Sequence, residues 1–263
     1  MTVRDVWDWL DRFAPFESQE EYDNAGLLMG DPSAEVTRIL FALDATLAVV
    51  QEAQAQGAQL IVTHHPLMFG GIRRIRYDEP EGAVLAAIAG AHINLIAAHT
   101  NLDRAPGGTG DSLAAVLALT GVGLAGKSLY ARMGILPIPC TAGDLLARVD
   151  HQLSSHARLY GNPARSVTCV AVAPGAAGEE YAAASQAGAQ VFIVGEIKHH
   201  QLLAAQALGL TVIEAGHYYT ELPGITALYH RFTEDAFSAS WLVEARLSDI
   251  RPFDCAVRAP SGG

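Results

Sequence analysis

The pattern of apolar and polar residues divides the chain into short buried strands that alternate with helices. Apolar residues recur at helical spacing from about Val3 to Phe13, which predicts an opening amphipathic helix. Short apolar runs indicate strands buried on both faces, at Arg38–Leu43, Leu60–Thr63, Ile93–Ala97, Val167–Ala173, Val191–Val194 and Thr211–Ile213. Helices are expected at Leu47–Gln56, Val84–Ala89, Glu180–Gln186 and His199–Leu208. This alternation predicts an α/β architecture with mostly parallel sheets.

The chain has two halves that follow the same scheme. A stretch with several glycines and two prolines, Gly121 to Pro139, is interpreted as the crossing between them, and a Pro/Gly-rich loop is expected from Ala105 to Gly110. We predict two interlocked, pseudo-repeated domains, residues 1–125 plus 226–263 and residues 126–225. A weak internal repeat supports this division, because the sequence GAQLIV at 57–62 resembles GAQVFI at 188–193.

Composition indicates a folded chain with a sizeable core. Half of the 263 residues are apolar and 17% are charged, against about 25% in an average soluble domain. This predicts that part of the surface is buried in an oligomer, with an alanine-rich composition as the alternative. The net charge is −11 and the densest basic stretch is Arg73, Arg74 and Arg76. Nucleic-acid binding, which needs a basic surface, is therefore disfavoured.

The cysteines and the N-terminal sequence indicate the cellular compartment in which the protein is expected. Cys140, Cys169 and Cys255 are scattered and odd in number, which argues against a disulfide framework and favours a reducing compartment. The charged opening helix does not resemble a secretory signal, and no apolar stretch approaches the ~20 residues of a membrane span. We expect a cytoplasmic protein without membrane contact.

Candidate metal-ligating residues begin with a histidine pair at the end of a predicted strand. His64 and His65 follow the apolar run Leu60–Thr63 and precede Pro66. Ligands gather at the carboxyl ends of strands in open α/β folds. Adjacent side chains on a strand diverge, but the bend before Pro66 lets both imidazoles converge. On its own, such a pair is also compatible with a purely structural role.

Two further segments after predicted strands carry a histidine followed four positions later by a carboxylate. They are His99 with Asp103 and His217 with Glu221, related by the same offset of 118 residues. In a helical segment both side chains of such a pair lie on one face, while Asp103 alone could equally cap a helix. Together with the histidine pair, these nitrogen and oxygen donors predict a metal site without cysteine ligands.

Four motifs, taken in the order in which they occur in the chain, resemble those of a known protein family. Tyr22-Asp23-Asn24-Ala25-Gly26-Leu27, Thr63-His64-His65-Pro66, the segment 99–103 and Gly216-His217-Tyr218-Tyr219-Thr220-Glu221 resemble the Nif-three-like family, whose members are labelled GTP cyclohydrolase I type 2 homologues. The resemblance covers nearly the whole chain and fits the short form without an inserted domain. It implies a toroidal homohexamer with metal sites facing an internal cavity. It also implies a dinuclear centre with one bridging carboxylate, on His64, His65, Asp103, His217 and Glu221.

The chain departs from the usual family pattern at three places. Tyr22 stands where many relatives have tryptophan, and Gly107-Gly108-Thr109-Gly110-Asp111 replaces the usual Gly-Gly-Val-Asn-Asp. Gly195-Glu196 replaces the usual Gly-Asp and lengthens a carboxylate beside the expected site. The five expected ligands are unchanged, so these departures put in doubt the surroundings of the metals and leave the ligand set intact.

Other polar residues near predicted strand ends have open roles. We interpret His99 as a neighbour of the ligands or as a catalytic acid/base, since imidazole exchanges protons readily near neutral pH. For five further residues the sequence is compatible with either helix capping or a role at the site. They are Glu196, Lys198 and His200, and Asp44 with Thr46.

The predicted chemistry is hydrolysis. Two divalent cations about 3.5–4 Å apart can share a hydroxide and polarise a phosphoryl or carbonyl oxygen. We expect a dinuclear metal-dependent hydrolase acting on a nucleotide ring or a phosphoester, and the alternative is a non-catalytic metal-binding or regulatory ring protein. Zinc, manganese, iron, nickel and cobalt all fit histidine and carboxylate ligands, so the sequence leaves the metal open.

Overall fold

The structure, a computed structural model, describes residues 1–253 of the chain. Its strands are β1 (Gly26–Met29), β2 (Arg38–Ala42), β3 (Leu60–Thr63), β4 (Asn94–Ala97), β5 (Thr120–Leu124), β6 (Arg132–Thr141), β7 (Arg158–Tyr160), β8 (Ser166–Ala173), β9 (Val191–Val194), β10 (Thr211–Glu214) and β11 (Glu244–Leu247). Its α-helices are α1 (Val3–Phe13), α2 (Leu47–Gln56), α3 (Pro80–Gly90), α4 (Thr100–Arg104), α5 (Thr109–Val116), α6 (Ala142–Leu153), α7 (Tyr181–Gln186), α8 (His199–Ala207) and α9 (His217–Ser238).

Two sheets organise these elements, and each has parallel strands at its centre. The first has the order β1-β4-β3-β2-β11, in which only the edge strand β1 runs antiparallel to its neighbour. The second has the order β5-β6-β8-β9-β10-β7, with β8, β9 and β10 parallel and antiparallel pairings on both sides. The predicted α/β class is confirmed. Over residues 1–253, no helix combines the length and the apolar character needed to cross a membrane.

The internal repeat corresponds to a real structural equivalence between the sheets. Gln59 precedes β3 and Gln190 precedes β9, and each side-chain oxygen accepts two hydrogen bonds from consecutive backbone amides beside it. The distances are 2.9 and 2.9 Å at Gln59 and 2.7 and 2.9 Å at Gln190. The repeated glutamine therefore satisfies the same backbone donors in both halves, which explains why it recurs with the strand that follows it.

The prediction of a crossing from Gly121 to Pro139 is wrong, because this stretch forms most of the antiparallel pair β5 and β6. Its prolines suggested a connection, since proline cannot donate to a sheet ladder. In the structure, Pro137 and Pro139 lie where the register between β6 and β8 shifts, between Ile135 and Cys140. The prolines occupy an irregularity within a strand and do not end it.

The predicted loop from Ala105 to Gly110 also ends earlier than expected, because α5 begins at Thr109. A Cβ atom at Gly110 would lie 3.0 Å from both Arg132 Cγ and the Tyr130 carbonyl oxygen. This glycine therefore allows close packing of a helix, where the sequence suggested a turn. Five strands are additional to those expected, namely β1, β5, β6, β7 and β11.

The proposed domain boundaries stay a prediction, although the sheets divide the strands in a similar way. Strand β11 pairs with β2 in the first sheet, although β11 comes from the C-terminal part of the chain and β2 from the N-terminal part.

Cys140 and Cys169 are free thiols, while Cys255 lies outside the described residues.

Helix α9 joins the second sheet to the core of the first. It follows β10 directly, and its buried residues Ile225, Leu228 and Phe232 pack in the core beside the first sheet. The Phe232 ring lies 5.5 Å from the ring of Phe41 in β2. The first turn of α9 is consequently held at the carboxyl ends of strands from both sheets.

Candidate metal centre

The histidine pair lies where β3 leaves the first sheet, and both rings are oriented by oxygen acceptors. His64 is fully buried and its Nδ1 contacts the Ala98 carbonyl oxygen at 2.8 Å. The Nδ1 of His65 contacts Asp44 Oδ1, also at 2.8 Å. With Nδ1 engaged in this way, the Nε2 atom of each ring is available for a further ligand. The centroids of the two rings lie 5.0 Å apart, so the pair converges as expected.

The first turn of α9 brings a third imidazole and a buried carboxylate to the same place. Gly216 precedes the helix with φ +87°, and His217 and Glu221 share one helix face. Glu221 Oε2 lies 3.0 Å from His217 Nε2 and 3.0 Å from His65 Nε2. Its other oxygen, Oε1, lies 3.7 Å from His64 Nε2. One carboxylate therefore contacts all three imidazoles.

Asp103 approaches this group from helix α4. Its Oδ1 lies 3.6 Å from His64 Nε2 and accepts a hydrogen bond from the Thr109 hydroxyl. Thr109 belongs to the loop that departs from the usual family pattern, and it fixes the carboxylate through its hydroxyl. All five residues predicted as ligands are therefore close together in space, and their role as ligands stays a prediction.

His99 lies beside the ligand group and is held in the same manner. Its Nδ1 contacts Asp23 Oδ1 at 2.8 Å, and its ring centroid lies 5.1 Å from that of His64. Asp23 is fixed in turn, because the backbone amide of Thr100 donates to its Oδ2 at 3.0 Å. Side-chain nitrogens of His64, His65 and His99 come close enough together to hold an ion, as do donors of His65, His217 and Glu221.

The donor set has the character of a metal site, as two buried atoms show. His64 Nε2 and Glu221 Oε2 have no hydrogen-bond partner among the described residues. Leaving a buried polar atom unsatisfied costs about 1–3 kcal/mol, and a cation between these donors would remove that cost. The short contacts of Glu221 with imidazole nitrogens are likewise poorly aligned for hydrogen bonds and suit shared coordination. The residues present therefore fit a divalent cation.

The protonation equilibria reflect crowded charges. Burial would lower the pKa of His65, but the carboxylates of Asp44 and Glu221 outweigh it and raise the pKa to about 10. Burial would raise the pKa of Glu221, yet the imidazoles around it hold the pKa well below its usual range. For Asp103 burial dominates, so its pKa is raised. The carboxylates thus favour the protonated form of His64, His65 and His217, and a bound metal ion would compete with those protons.

Three supporting residues were not recognised as such from sequence. The motif around Asp23 does not by itself indicate a role for this residue, and the sequence around Asp44 is compatible with either helix capping or a place at the site. Gly175 was missed altogether: a Cβ atom there would lie 2.1 Å from Glu221 Oε1, and its φ is +67°. Its position in the sequence could have indicated a role at the site, because Gly175 comes just after the carboxyl end of β8 and ligands bind at the carboxyl ends of strands in such folds.

The structure shows which of the other residues with open roles contact the site and which lie at helix ends. Glu196 belongs to the site, since its Oε1 lies 3.1 Å from His217 Nδ1. Thr46 caps α2, with its hydroxyl accepting from the Val49 amide at 3.2 Å. Lys198 is the N-cap residue before α8, and His200 is exposed on that helix.

A cavity of about 200 Å³ opens beside this group. It is bounded on the inside by His99, Asp103, His217 and Glu221. Tyr22 and Phe69 line the same cavity and are exposed to solvent. The candidate centre is therefore accessible to a small molecule.

Comparison with known proteins agrees with this architecture. The family model described as Duf34/NIF3 (NGG1p interacting factor 3) matches residues 1–252. A Streptomyces coelicolor protein named GTP cyclohydrolase 1 type 2 homolog is 34% identical over 226 residues, covering 81% of this chain and 79% of that protein. A Clostridium acetobutylicum protein of the same name is 29% identical, covering 87% and 88%.

A solved structure shares the fold as well. The crystal structure of a Staphylococcus aureus hypothetical protein matches with a TM-score of 0.92 at 29% identity, covering 97% of this chain and 99% of that one. The four motifs, the two sheets and the match to the family model lead to the same conclusion. The chain belongs to the Duf34/NIF3 family.

Proposed function

We propose that this protein is a dinuclear metal-dependent hydrolase that acts on a nucleotide ring or a phosphoester. The observation that carries the proposal is the position of Glu221 between two groups of donors. Its Oε1 faces His64 at 3.7 Å, and its Oε2 lies 3.0 Å from both His65 and His217. A carboxylate with different partners on its two oxygens is suited to bridging two cations.

The donors divide into two sets. His64, Asp103 and Glu221 Oε1 would hold one cation, while His65, His217 and Glu221 Oε2 would hold the other. The sets contain only nitrogen and oxygen atoms, which suits zinc, manganese, iron, cobalt or nickel. The names of the relatives, GTP cyclohydrolase 1 type 2 homolog, support a hydrolytic reaction on a nucleotide ring.

Divalent cations bound here would supply the usual chemistry of such sites, ionising water near neutral pH and polarising a substrate oxygen. The chain itself would supply a proton carrier. His99 lines the cavity, and its Nδ1 is held by Asp23. Hydrogen bonds from His99 and Thr100 outweigh burial and hold the pKa of Asp23 well below its usual range. Asp23 therefore remains an acceptor, and Nε2 of His99 would exchange the proton with substrate or water.

Elemental analysis and turnover assays on matched variants test the proposal. Protein purified without added metal should carry divalent cations and hydrolyse at least one substrate from a nucleotide and phosphoester screen. Glu221→Gln should lose both the metal and the activity. His99→Gln should keep its metal and lose about 10²–10⁴-fold in turnover.

The outcomes separate the roles. Loss of metal from His99→Gln would make His99 a ligand, and full turnover by that variant would exclude the acid/base role. A protein that binds metal but turns over no substrate under any defined metal would contradict the hydrolase proposal.

The second candidate is a non-catalytic metal-binding or regulatory ring protein. The small cavity favours it, because about 200 Å³ is below the ~300–1,000 Å³ typical of ligand pockets. The toroidal homohexamer and the cytoplasmic location both stay predictions. Light scattering coupled to size-exclusion chromatography tests the first of these, since a hexamer has six times the 27.8 kDa mass of the chain.

A further inference from the structure

Two exposed aromatic side chains stand at the mouth of the cavity beside the candidate metal centre. Tyr22 is 64% exposed and Phe69 is 53% exposed, and they come from separate loops. Both line the cavity that His99, His217 and Glu221 bound on the inside. Exposed aromatic surface beside polar functional groups is characteristic of ligand-binding sites, where a few polar groups fix a ligand among apolar walls.

The aromatic pair is held in place before any ligand arrives. The Asn24 side-chain amide donates to the Met68 carbonyl oxygen at 2.6 Å, which ties the two loops together. Phe69 also meets the ring of His99 nearly at right angles, with centroids 5.8 Å apart. The rings of Tyr22 and Phe69 are 6.1 Å apart and tilted by 41°, so they do not stack on each other. Such preorganisation reduces the entropy lost on binding.

Small apolar side chains also line the cavity. They are Pro174, Ala176 and Ala177, from the segment after β8, which also contributes Glu179. The cavity volume of about 200 Å³ is below the ~300–1,000 Å³ of a pocket that encloses a drug-sized ligand, so only part of a larger ligand would lie inside it.

Carboxylates lie near the Tyr22 side chain at the mouth of the cavity. Tyr22 is close enough to three carboxylates, those of Glu20, Asp23 and Glu179, that burial together with their charges raises its pKa. The nearby cation Arg104 is already paired with Glu20. The phenol of Tyr22 is therefore neutral near pH 7 and presents an uncharged ring to a ligand.

We propose that Tyr22 and Phe69 bind a planar heteroaromatic ring, of the kind carried by a nucleoside, and place it beside His99. This assignment rests on the proposed function for the claim that the bound ring is the group that reacts. The claim that a ring binds here depends only on the aromatic pair and the cavity. If the assignment is correct, the substrate contains a ring and is not a simple phosphoester.

Calorimetric titration of the full chain with its native metal tests the assignment. The probes are guanosine, adenosine, cytidine and uridine, and ribose 5-phosphate is the comparison compound, a simple phosphoester that lacks a base. At least one nucleoside should bind more tightly than ribose 5-phosphate. Tyr22→Ala and Phe69→Ala should each weaken that binding about five- to hundredfold, the range for losing a base-stacking ring. Phe69→Trp should retain it.

Tyr77→Ala is the matched control, since Tyr77 is an aromatic residue of the same surface segment that is 78% exposed and does not line the cavity. Its affinity for the nucleoside should equal that of the wild type. The assignment is overturned if none of the four nucleosides binds, if ribose 5-phosphate binds as tightly, or if both alanine variants bind like the wild type. Much tighter binding of a single-stranded oligonucleotide than of any nucleoside would also overturn it in favour of a nucleic-acid ligand.

The two proposals fail in different ways. If ring binding persists in Glu221→Gln while metal and turnover are absent from the wild type, the hydrolase proposal fails and the aromatic subsite stands. If metal and turnover are present but the alanine variants bind and react with nucleosides like the wild type, the subsite fails and the metal centre stands.

Discussion

The two junctions that carry the repeated histidine and carboxylate are alike in sequence and different in what they contribute. The first, at the end of β4, leads into the five-residue helix α4. There Nδ1 of His99 contacts Asp23, and Asp103 lies 3.6 Å from Nε2 of His64. Burial raises the pKa of Asp103.

The second junction, at the end of β10, leads into the 22-residue helix α9. There His217 and Glu221 contact each other at 3.0 Å, and Glu221 also contacts both members of the histidine pair. The surrounding imidazoles lower the pKa of Glu221 despite its burial. The Glu221 side chain is one methylene longer than that of Asp103, and it projects from a helix anchored in the core. These two features explain why Glu221 contacts more imidazoles than Asp103 does.

The difference teaches that spacing places two side chains on a helix face but does not give them a common role. In both junctions a carboxylate from another part of the chain contacts Nδ1 of the histidine, Asp23 at His99 and Glu196 at His217. At the second junction Nε2 of His217 also contacts Glu221, whereas the ion pair described for Asp103 is with His64. The placement of the carboxylate, and not the spacing alone, therefore decides whether the two side chains of a motif meet.

The largest effect is expected from removing the charge of Glu221, because two sets of donors share it. Glu221→Gln should lower the metal content per subunit from two ions to none. Asp103→Asn should remove only the ion beside His64 and leave about one. Elemental analysis after gel filtration measures both.

Glu234→Gln is the control for this pair of variants, since Glu234 is an exposed carboxylate on the same helix. It should keep both ions. Equal metal loss in the Glu221 and Asp103 variants would remove the distinction between the two junctions.

An intermediate effect is expected at Gly175, which makes room for Glu221. Gly175→Ala should weaken metal binding about 10- to 100-fold, the range for disturbing groups that position ligands. Its new Cβ would stand 2.1 Å from Glu221 Oε1. Gly188→Ala separates this clash from backbone strain, because Gly188 has φ +88° but no atoms near its missing Cβ. Competition with a metal-binding dye should show the loss in Gly175→Ala alone; equal affinities would contradict it.

The smallest effect is expected from Asp23→Asn, which weakens the support of His99 at the first junction. We expect about 1–3 kcal/mol lower unfolding free energy near pH 7, because an amide cannot replace both acceptor oxygens in the partly buried hydrogen bonds with Thr100 and His99. The folded pKa of Asp23 is lowered, so its contribution is complete above the unfolded value of about 3.9 and declines as the pH falls below it. Urea unfolding should therefore show the difference from wild type shrinking between pH 5 and pH 3. A difference that grew on acidification would contradict this sign.

Much of the site could be predicted from the sequence because its ligands follow strands with a clear apolar pattern. The strands Leu60–Thr63 and Val191–Val194 begin and end where the pattern placed them, and the polar residues after strands of this kind meet in space. The supporting contacts could not be predicted in this way. Asp23 reaches His99 across 76 positions, and Gly175 meets Glu221 across 46, so neither contact leaves a local signal.

The fold was predictable where burial is complete and less so where it is partial. Helix α1 occupies the predicted range, because its apolar stripe and its Thr2 and Asp5 capping box are both local. Strands β7 and β11 are short and half exposed, so they carry no continuous apolar run. Strand β6 was mistaken for a crossing because its prolines lie at a register shift that only the pairing with β8 reveals.

The account depends most directly on two cations that share Glu221. Anomalous X-ray diffraction at the absorption edge of the bound metal, from crystals of the protein as purified, would locate them. We predict two peaks about 3.5–4 Å apart, one among His64, Asp103 and Glu221 and one among His65, His217 and Glu221. A single peak, or peaks away from Glu221, would contradict the dinuclear centre.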